Sequence, residues 1–375
     1  MDLMETYKRL PVRFSYGKGV YLFDQNGKRY LDMIAGIAVN SLGHAHQELS
    51  EAICKQASKL LHISNLYENP WQEELARELL SEFWTSGKVF FCNSGAEANE
   101  AAIKLVRKYF KDRGENRYRI ITFHNSFHGR TLGALSATAQ ERLHSGFEPL
   151  LDGFDYATFD DFESVLKLIK PETAAILLEI IQGEGGINEA SAEFLKKIND
   201  LCDKEGLLFV IDEVQTGVGR TGKFFAYSHF DLQPHIITLA KGLGGGVPIG
   251  AIIAKSSVAS AFSPGSHGST FGGNPLACSA SLVVVKNVKR LLDSVEKVGT
   301  YLKSGLEYLN VGKVKGRGLM LGLEIDKDCQ DVVLRALENG LLVNCTAKRV
   351  IRLLPPLILS EGEAKEALDL LKKSL

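Results

Sequence analysis

The sequence has little net charge and no long hydrophobic run. Its 375 residues carry 44 Lys and Arg against 45 Asp and Glu, a formal net charge of −1, which gives no reason to expect nucleic acid or an anionic membrane as a partner. No apolar run reaches the roughly 20 residues needed to cross a bilayer. The mixed, charged beginning MDLMETYKRL does not fit a secretory signal. We therefore expect a cytoplasmic protein.

Cysteines are also few, and none of them forms a CxxC pair. This scatter predicts reduced, mostly buried thiols, and it argues against a disulfide framework or a zinc ribbon. We accordingly predict no metal site. The six cysteines are Cys54, Cys92, Cys202, Cys278, Cys329 and Cys345.

Short apolar runs alternate with longer amphipathic segments from about residue 88 to about residue 255. Most of the runs are β-branched and apolar on both faces, as is typical of strands covered by helices on both sides. This alternation predicts an α/β domain with a largely parallel sheet. The predicted strands are 88–93, 119–123, 174–181, 207–214, 236–240 and 250–254, and two predicted helices are 96–110 and 191–206.

The two ends of the chain have a different pattern. Residues 17–32 place an Asn26-Gly27 turn between alternating runs, which predicts a hairpin. After about residue 280, helical patterns precede short strands and a final helix. We expect both ends to form one smaller α+β domain, with 1–50 joining it, 51–278 forming the large domain, and 279–375 forming the C-terminal small domain.

Two short motifs suggest other functions but lack the context that they need. In GVGRTGK (217–223), a P-loop would require Ser or Thr where Phe224 stands, and a dinucleotide site would require a helix start and a later acidic residue. His124 and His128 are four residues apart, but they follow a strand and no third ligand is evident. We interpret them as polar residues on a loop beside a pocket.

Groups able to carry chemistry follow several predicted strands, at the edge where open α/β sheets bind ligands. Ser94 begins a turn that opens a helix, and the free N–H groups there suit a phosphate, although Ser94 could equally be only a helix cap. Asp212 and Glu213 end an apolar strand. A carboxylate there is a metal ligand, a base or the partner of a buried cation.

Lys241 follows the strand 236–240, and four of the next five residues are glycine. It is either a surface lysine or a partly desolvated amine of lowered pKa that can form a Schiff base. In the second case the glycines would let the backbone approach a flat ligand. A phosphate-binding turn, a carboxylate and a reactive lysine together are what a pyridoxal 5'-phosphate enzyme needs.

Whole motifs carry a more specific resemblance. The chain resembles the class III (ornithine-type) aminotransferases nearly end to end, and most closely those that act on acetylornithine in arginine biosynthesis. The resemblance implies a fold-type I pyridoxal phosphate-dependent transferase, with a large domain of mostly parallel sheet covered by helices and a smaller α+β domain. The motifs are GIAVNSLGHAH, NSGAEANEAAIKLVRKY, NSFHGRTLGALSAT, IQGEGG, DEVQTGVGRTGKF, LAKGLGGGVPIGA, HGSTFGGNPLACSA and IRLLPPLIL.

The resemblance also implies roles around the cofactor ring. Lys241 would hold the cofactor covalently and move a proton during the reaction. Asp212 would pair with the pyridine nitrogen and Gln215 with the ring hydroxyl. Phe127 and Val214 would lie on the two faces of the ring.

Further roles concern the cofactor phosphate and the assembly. The backbone N–H groups of Gly95 and Ala96 would bind the phosphate, with Ser94 nearby. Thr270 would reach the phosphate from the other subunit, which implies a homodimer with shared active sites. Ser269, beside it, would lie near the substrate.

Three charged residues would select the substrates. Arg352 resembles the bidentate clamp for the α-carboxylate of glutamate, and Glu184 resembles the partner that neutralises it while an ω-amine is bound. Arg130 would hold the α-carboxylate of the amine donor. Each arginine could instead make a surface ion pair worth about 0–1 kcal/mol.

The expected reaction moves the δ-amino group of N2-acetyl-L-ornithine to 2-oxoglutarate in a ping-pong cycle, giving N-acetylglutamate 5-semialdehyde and glutamate. The alternatives within the family are donors such as ornithine, succinylornithine, 4-aminobutyrate or a lysine-pathway amine. A nucleotide-binding protein and a non-catalytic relative are the alternatives from other classes.

Overall fold

The structure is a computed structural model that describes residues 2–375. Its strands, in chain order, are β1 Phe14–Lys18, β2 Tyr21–Asp24, β3 Arg29–Asp32, β4 Gly87–Cys92, β5 Arg119–Phe123, β6 Phe154–Ala157, β7 Thr173–Leu178, β8 Ile181–Gln182, β9 Asn188–Glu189, β10 Leu208–Asp212, β11 Ile236–Leu239, β12 Gly250–Lys255, β13 Lys313–Arg317, β14 Met320–Glu324, β15 Leu341–Leu342, β16 Asn344–Thr346 and β17 Val350–Leu353.

The helices lie between these strands and at the end of the chain. They are α1 Ala35–Ala38, α2 Gln47–Ala57, α3 Pro70–Leu80, α4 Gly95–Lys111, α5 Leu132–Ala137, α6 Glu141–His144, α7 Phe162–Leu166, α8 Ala192–Glu205, α9 Ser256–Ala259, α10 Pro275–Tyr308, α11 Gln330–Glu338 and α12 Glu361–Ser374, with short 3₁₀ turns at Ala226–His229 and Lys241–Leu243. None of the helices in residues 2–375 combines the length and the apolar character needed to cross a bilayer.

A seven-stranded sheet forms the centre of the molecule. Its strand order is β4-β12-β11-β10-β7-β5-β6, and β10 runs parallel to both β11 and β7. Strands β7, β10 and β11 are buried along their whole length, because helices cover both faces of the sheet. The expected α/β fold with a mostly parallel sheet is confirmed.

One strand breaks the parallel order. Strand β12 is antiparallel to both of its neighbours, β11 and β4. Strand β4 is therefore parallel to β11, and the carboxyl ends of β4, β5, β7, β10 and β11 meet at one edge of the sheet. This edge carries the candidate site.

The predicted strands correspond closely to the observed ones, with two differences. The run 174–181 splits into β7 and the short β8, because the chain turns away from the sheet after Leu178. Strand β6, which pairs in parallel with β5, was not predicted. Helix α8 is as expected: Ser191 caps its first turn and Gly206 ends it at φ +64°, a conformation that glycine adopts easily.

The two ends of the chain pair with each other. The N-terminal hairpin has its turn at Asn26-Gly27, and β15 adds to it in parallel beside β3. A second small sheet, of order β13-β14-β17-β16, comes wholly from the C-terminal part. The domain boundaries at 50/51 and 278/279 remain a prediction, and the second of them falls inside helix α10.

The expectation of reduced thiols is wrong for one pair of cysteines. Cys329 and Cys345 form a disulfide across a sequence separation of 16 residues, while Cys54 is free and exposed and Cys92, Cys202 and Cys278 are free and buried. The backbone N–H of Cys329 donates to Lys348 O at 2.9 Å, which brings the start of α11 against the turn between β16 and β17. The pairing depends on this tertiary contact, and cysteine spacing alone does not reveal it.

Candidate active site

A cavity of about 420 Å³ opens at the carboxyl edge of the central sheet. It is formed by the turns after β4, β5, β10 and β11 and by the chain that leads into β12. Its lining residues are Val39, Asn93, Ser94, Gly95, Ala96, Asn99, Phe127, His128, Gly129, Arg130, Glu179, Glu184, Asp212, Val214, Gln215, Ala240, Lys241, Gly246, Val247, Pro248 and Ile249.

Lys241 projects into this cavity from the 3₁₀ turn that follows β11. Its backbone has φ +43°, a left-handed conformation that is uncommon for a residue with a Cβ and that is found at functional sites. Among residues 2–375 its amine makes no hydrogen bond or ion pair. Burial lowers the pKa of Lys241, and the nearby charge of Arg352 adds to this, while Glu184, Asp212 and Glu179 partly offset it. A lowered pKa increases the unprotonated fraction of the amine, which is the nucleophilic form.

The glycines after Lys241 have a different role from the one expected. Only Gly246 lines the cavity. A Cβ at Gly242 would lie 2.7 Å from Ser41 Oγ, and one at Gly245 would lie 2.7 Å from Val284 Cγ2. These glycines are needed for close packing against the protein itself, and only the last of them brings bare backbone to the cavity.

Asp212 lies at the end of β10 and is 3% exposed. Its Oδ1 accepts hydrogen bonds from the Val214 backbone N–H at 2.9 Å and the Thr238 hydroxyl at 3.2 Å, and its Oδ2 accepts one from Asn99 Nδ2 at 2.8 Å. Burial acts to raise the pKa of Asp212, but the hydrogen bonds and the charge of His128 outweigh it. The net effect is a lowered pKa, so the carboxylate stays ionised.

His128 lies on the loop after β5 and lines the cavity, as the sequence had indicated, but it also has a specific partner there. It is buried, and its Nδ1 lies 2.7 Å from Asp212 Oδ2, while its backbone carbonyl accepts a hydrogen bond from Asn99 Nδ2 at 2.7 Å. His124 is exposed and lies apart from this network. Neither His128 nor Asn99 was expected to support Asp212, although they lie inside the motifs NSFHGRTLGALSAT and NSGAEANEAAIKLVRKY.

Glu179 is a third residue that the sequence did not reveal. It follows β7, and its carboxylate accepts hydrogen bonds from the backbone N–H groups of Phe127 at 2.9 Å and Gly183 at 3.1 Å. Burial raises the pKa of Glu179 to about 7. The side chain ties the loop that carries Phe127 to the loop that carries Glu184.

Ser94 fits both of the interpretations left open by the sequence. Its hydroxyl accepts a hydrogen bond from Glu97 N at 3.2 Å and so caps helix α4, and it also lines the cavity. The N–H groups of Gly95 and Ala96 occupy the first turn, where a helix has no internal acceptor for them. Together with the helix dipole they form an anion site at the cavity wall.

One aromatic and one aliphatic side chain form part of the cavity wall. Phe127 and Val214 both line it, and the guanidinium of Arg130 lies 5.7 Å from the centre of the Phe127 ring. Arg130 is exposed at the mouth, where it remains available to a substrate.

Arg352 is 1% exposed and is held by several acceptors at once. Its Nη1 donates to Gly183 O at 2.9 Å, to Glu184 Oε1 at 2.6 Å and to Gln215 Oε1 at 3.3 Å. Burial acts to raise the pKa of Glu184, but the charge and hydrogen bond of Arg352 outweigh the effect of burial, so the pKa is lowered. Glu184 therefore covers Arg352 as an ionised carboxylate, and it is Glu184 that faces the cavity.

Ser269 and Thr270 do not line this cavity. Ser269 Oγ accepts hydrogen bonds from Asn93 Nδ2 at 3.1 Å and from Gly272 N at 3.0 Å, and Thr270 is exposed. Both line a neighbouring surface depression with Asn93 and Glu97. A role for Thr270 at a cofactor phosphate therefore requires a second chain.

Glu213, the other carboxylate at the end of β10, points away from the cavity. Its Oε2 accepts a hydrogen bond from the Thr216 hydroxyl at 2.6 Å and its Oε1 accepts one from Tyr227 N at 2.9 Å. No cation among residues 2–375 pairs with it. Burial raises its pKa to about 7, so Glu213 is a structural carboxyl group that ties β10 to the turn at Ala226–His229.

Replacing this carboxyl group, Glu213→Gln, is expected to change how stability depends on pH. Between its ordinary pKa of 4.5 and about 7, Glu213 is ionised in the unfolded chain and protonated in the folded one. Its contribution is thus fully present below pH 4.5 and is lost as the pH rises through about 7. The variant should therefore gain stability relative to the native protein, on the order of 3 kcal/mol, between pH 4.5 and pH 8.

Denaturant unfolding of both proteins at pH 5 and pH 8 measures this difference. Glu179 also titrates near 7, but it is common to both proteins and cancels. Parallel pH dependence in the two proteins would show that Glu213 is ionised in the folded state.

The residues around the cavity fit pyridoxal phosphate. The amine of Lys241 and the N–H groups of Gly95 and Ala96 are free to bind an aldehyde and a phosphate, and buried Asp212 can face a protonated ring nitrogen. A Cβ at Gly95 would lie 2.7 Å from Val214 Cγ1, so only glycine leaves the backbone accessible there. When bound, this cofactor supplies an aldehyde and a ring that accepts electrons.

Such a cavity fits the class of enzymes that hold a cofactor through a lysine and a helix N-terminus. Residues 4–375 match the aminotransferase class-III family. The chain belongs to this family, whose members depend on pyridoxal phosphate, and it is an aminotransferase.

Individual relatives cover the whole chain. The acetylornithine aminotransferase of Aquifex aeolicus is 61% identical over 373 residues, covering 100% of this chain and 99% of that protein. The enzyme of the same name from Methanocaldococcus jannaschii is 48% identical, covering 99% and 94%.

Solved aminotransferase structures also superpose on nearly the whole chain. The ornithine aminotransferase from Toxoplasma gondii superposes with a TM-score of 0.95 at 34% identity, covering 100% of this chain and 92% of that one. The N-acetylornithine aminotransferase from Stenotrophomonas maltophilia superposes with a TM-score of 0.85 at 36% identity, covering 98% and 96%. The expected fold-type I architecture is confirmed.

Proposed function

We propose that the protein is an acetylornithine aminotransferase that moves the δ-amino group of N2-acetyl-L-ornithine to 2-oxoglutarate in arginine biosynthesis. The observation that carries this proposal is an unpaired lysine amine in a cavity that is also lined by Glu184, the ion-pair partner of Arg352. The identity of 61% to the acetylornithine aminotransferase of Aquifex aeolicus supports it.

The residues around the expected cofactor ring have separate roles. Lys241 would hold the cofactor through its aldehyde, and its amine, once the incoming substrate amine has displaced it, would carry the proton that moves at the reacting carbon. Asp212 holds a negative charge against the ring nitrogen, while His128 and Asn99 orient Asp212. Gln215 is the candidate partner of the ring hydroxyl.

Arg352 and Glu184 let one pocket accept two kinds of substrate. An ω-amine donor has no carboxylate at its reacting carbon, and Glu184 then neutralises Arg352 over their 2.6 Å contact. Glutamate and 2-oxoglutarate do have one, and it replaces Glu184 at the guanidinium. Arg130, exposed at the mouth, binds the distant α-carboxylate of the donor.

The charges of the lining residues favour an acylated donor over free ornithine. Of the residues that line the cavity, the acidic ones are Glu179, Glu184 and Asp212, and each already binds backbone N–H groups, Arg352 or His128. None of them is available to pair with the α-ammonium of ornithine. Acetylation removes this charge and with it the need for a partner.

The finer features of this proposal concern assembly and location. We place Thr270 at the phosphate of a second subunit, so that a homodimer shares its two active sites; the exposed position of Thr270 in the single chain supports this. Ser269 then lies near the substrate. A role in amino-acid biosynthesis supports a cytoplasmic location.

Amine donors assayed with 2-oxoglutarate test the proposed substrate. We expect kcat/KM for N-acetylornithine to exceed that for ornithine and for 4-aminobutyrate by at least about tenfold, a difference of about 1.4 kcal/mol in transition-state binding. Succinylornithine, which also lacks the α-ammonium, serves as the control that separates charge from size. A preference for ornithine or 4-aminobutyrate would contradict the proposal.

A further inference from the structure

The guanidinium of Arg352 contacts Asn344 on the adjacent strand, a residue to which the proposed function assigns no role. Strands β16 and β17 are antiparallel, and Asn344 lies directly opposite Arg352. Directly opposite residues share a face of the sheet, and Asn344 Oδ1 accepts a hydrogen bond from Arg352 Nε at 3.2 Å. The same strand holds Glu184, because the Thr346 hydroxyl donates to Glu184 O at 2.7 Å.

The contacts of Arg352 leave only one way for a carboxylate to bind it in a bidentate manner. Its hydrogen bonds to residues 2–375 use Nε and Nη1, and none uses Nη2. A carboxylate can bind a guanidinium across Nε and Nη2 or across Nη1 and Nη2. Asn344 occupies Nε, and Gly183 O at 2.9 Å needs only one of the two N–H groups of Nη1. A carboxylate that displaces Glu184 and the longer 3.3 Å contact of Gln215 Oε1 can therefore bind across Nη1 and Nη2.

We propose that Asn344 is a positioning residue that presents the Nη1–Nη2 edge of Arg352 to the α-carboxylate of glutamate and 2-oxoglutarate. Its amide oxygen is a neutral acceptor, so it fixes the orientation of the guanidinium without cancelling the charge that attracts the substrate. The inference rests on the proposed function, because it assumes that a dicarboxylate is the second substrate. Thr346 fixes the Glu184 backbone, so the movement is confined to the Glu184 side chain.

The Asn344→Ala enzyme, loaded with cofactor, tests this role. We expect KM for 2-oxoglutarate to rise about tenfold, while KM for N-acetylornithine and kcat change less than about threefold. The calorimetric Kd of glutarate, a five-carbon dicarboxylate that cannot react, should rise by the same factor. Lys348→Ala is the matched control, since Lys348 is an exposed residue on the turn between the same two strands and its variant should match the native enzyme.

Asn344→Asp separates positioning from simple packing, because it has the same shape and adds a charge. We expect it to bind glutarate at least as weakly as Asn344→Ala, since a carboxylate at this position neutralises Arg352 as Glu184 does. If Asn344 only filled space, Asn344→Ala would melt earlier with unchanged glutarate Kd. That result, or native-like glutarate binding by Asn344→Asp, would overturn the inference.

The inference and the proposed function fail in different ways. A native enzyme that reacts with glutamate but not with N-acetylornithine contradicts the proposed donor, and the glutarate measurements still decide the role of Asn344. Conversely, a native preference for N-acetylornithine combined with unchanged glutarate binding in both Asn344 variants contradicts only the role of Asn344.

Discussion

The Lys241→Ala enzyme is expected to fold normally and to lose transamination by about 10⁴-fold in kcat. The side chain has two tasks, binding the cofactor aldehyde and moving a proton, and proton transfer by a positioned group alone is worth about 10²–10⁴-fold. Steady-state rates with N-acetylornithine and 2-oxoglutarate measure the loss. The visible absorbance of a lysine-bound cofactor should also be missing from the variant as purified, without added amine.

Lys241→Arg distinguishes the reactive amine from a mere positive charge. Arginine keeps the charge, but its guanidinium does not lose a proton near neutral pH, so this variant should be as inactive as Lys241→Ala. The matched control is Lys197→Ala, because Lys197 is exposed on α8, where it pairs with Glu193 and does not line the cavity. Activity within about tenfold of the native enzyme in Lys241→Ala, or a persistent visible band, would contradict the assignment.

The sequence contained enough information to place Lys241 and Asp212 at the same edge of the sheet. Both follow buried apolar runs, and parallel strands bring their carboxyl ends together, so no tertiary knowledge was needed. The strand prediction was robust for the same reason, since β7, β10 and β11 are continuous buried runs. Strand β6 was missed because it lies at the edge of the sheet and is only partly buried.

The directions in which side chains point could not be predicted from the sequence. His128 follows β5, two strands away from β10 in the sheet, and its contact with Asp212 depends on how the loop after β5 folds back over the sheet edge. Asn344 and Arg352 are eight residues apart, and their contact depends on the register of β16 on β17. A one-residue slip would place them on opposite faces.

The disulfide and the glycines show the same limitation. Cys329 and Cys345 pair because α11 packs beside the turn between β16 and β17, and the spacing of the cysteines contains no trace of this contact. The glycines after Lys241 suggested close approach to a ligand, yet Gly242 and Gly245 approach other parts of the chain. A glycine pattern indicates that another group lies close to the backbone, but it does not show whether that group is a ligand or another part of the chain.

Replacing Asp212 by asparagine is expected to lower kcat/KM by at least about 10³-fold while leaving the fold and cofactor binding intact. The asparagine side chain would keep the shape of the aspartate, but it removes the buried negative charge that the ring nitrogen needs in order to stay protonated. Removing one preorganised electrostatic group from an active site costs about 10²–10³-fold, and here His128 would also lose its charged partner at 2.7 Å. Steady-state kinetics measure the loss, and absorbance of the purified variant reports the bound cofactor.

The pH dependence makes this prediction specific to the charge. Burial acts to raise the pKa of Asp212, but the hydrogen bonds from His128, Val214 and Asn99 outweigh the effect of burial, so the pKa is lowered. The native carboxylate is therefore ionised at every pH from about 5 to 8, and the ratio of native to Asp212→Asn activity should be constant across that range. Glu213→Gln is the matched control, because it removes the neighbouring carboxyl group, which faces away from the cavity, and should keep native activity. Asp212→Asn activity within about tenfold of native, or a ratio that falls steeply toward the acidic end of that range, would show that the reaction does not depend on this charge.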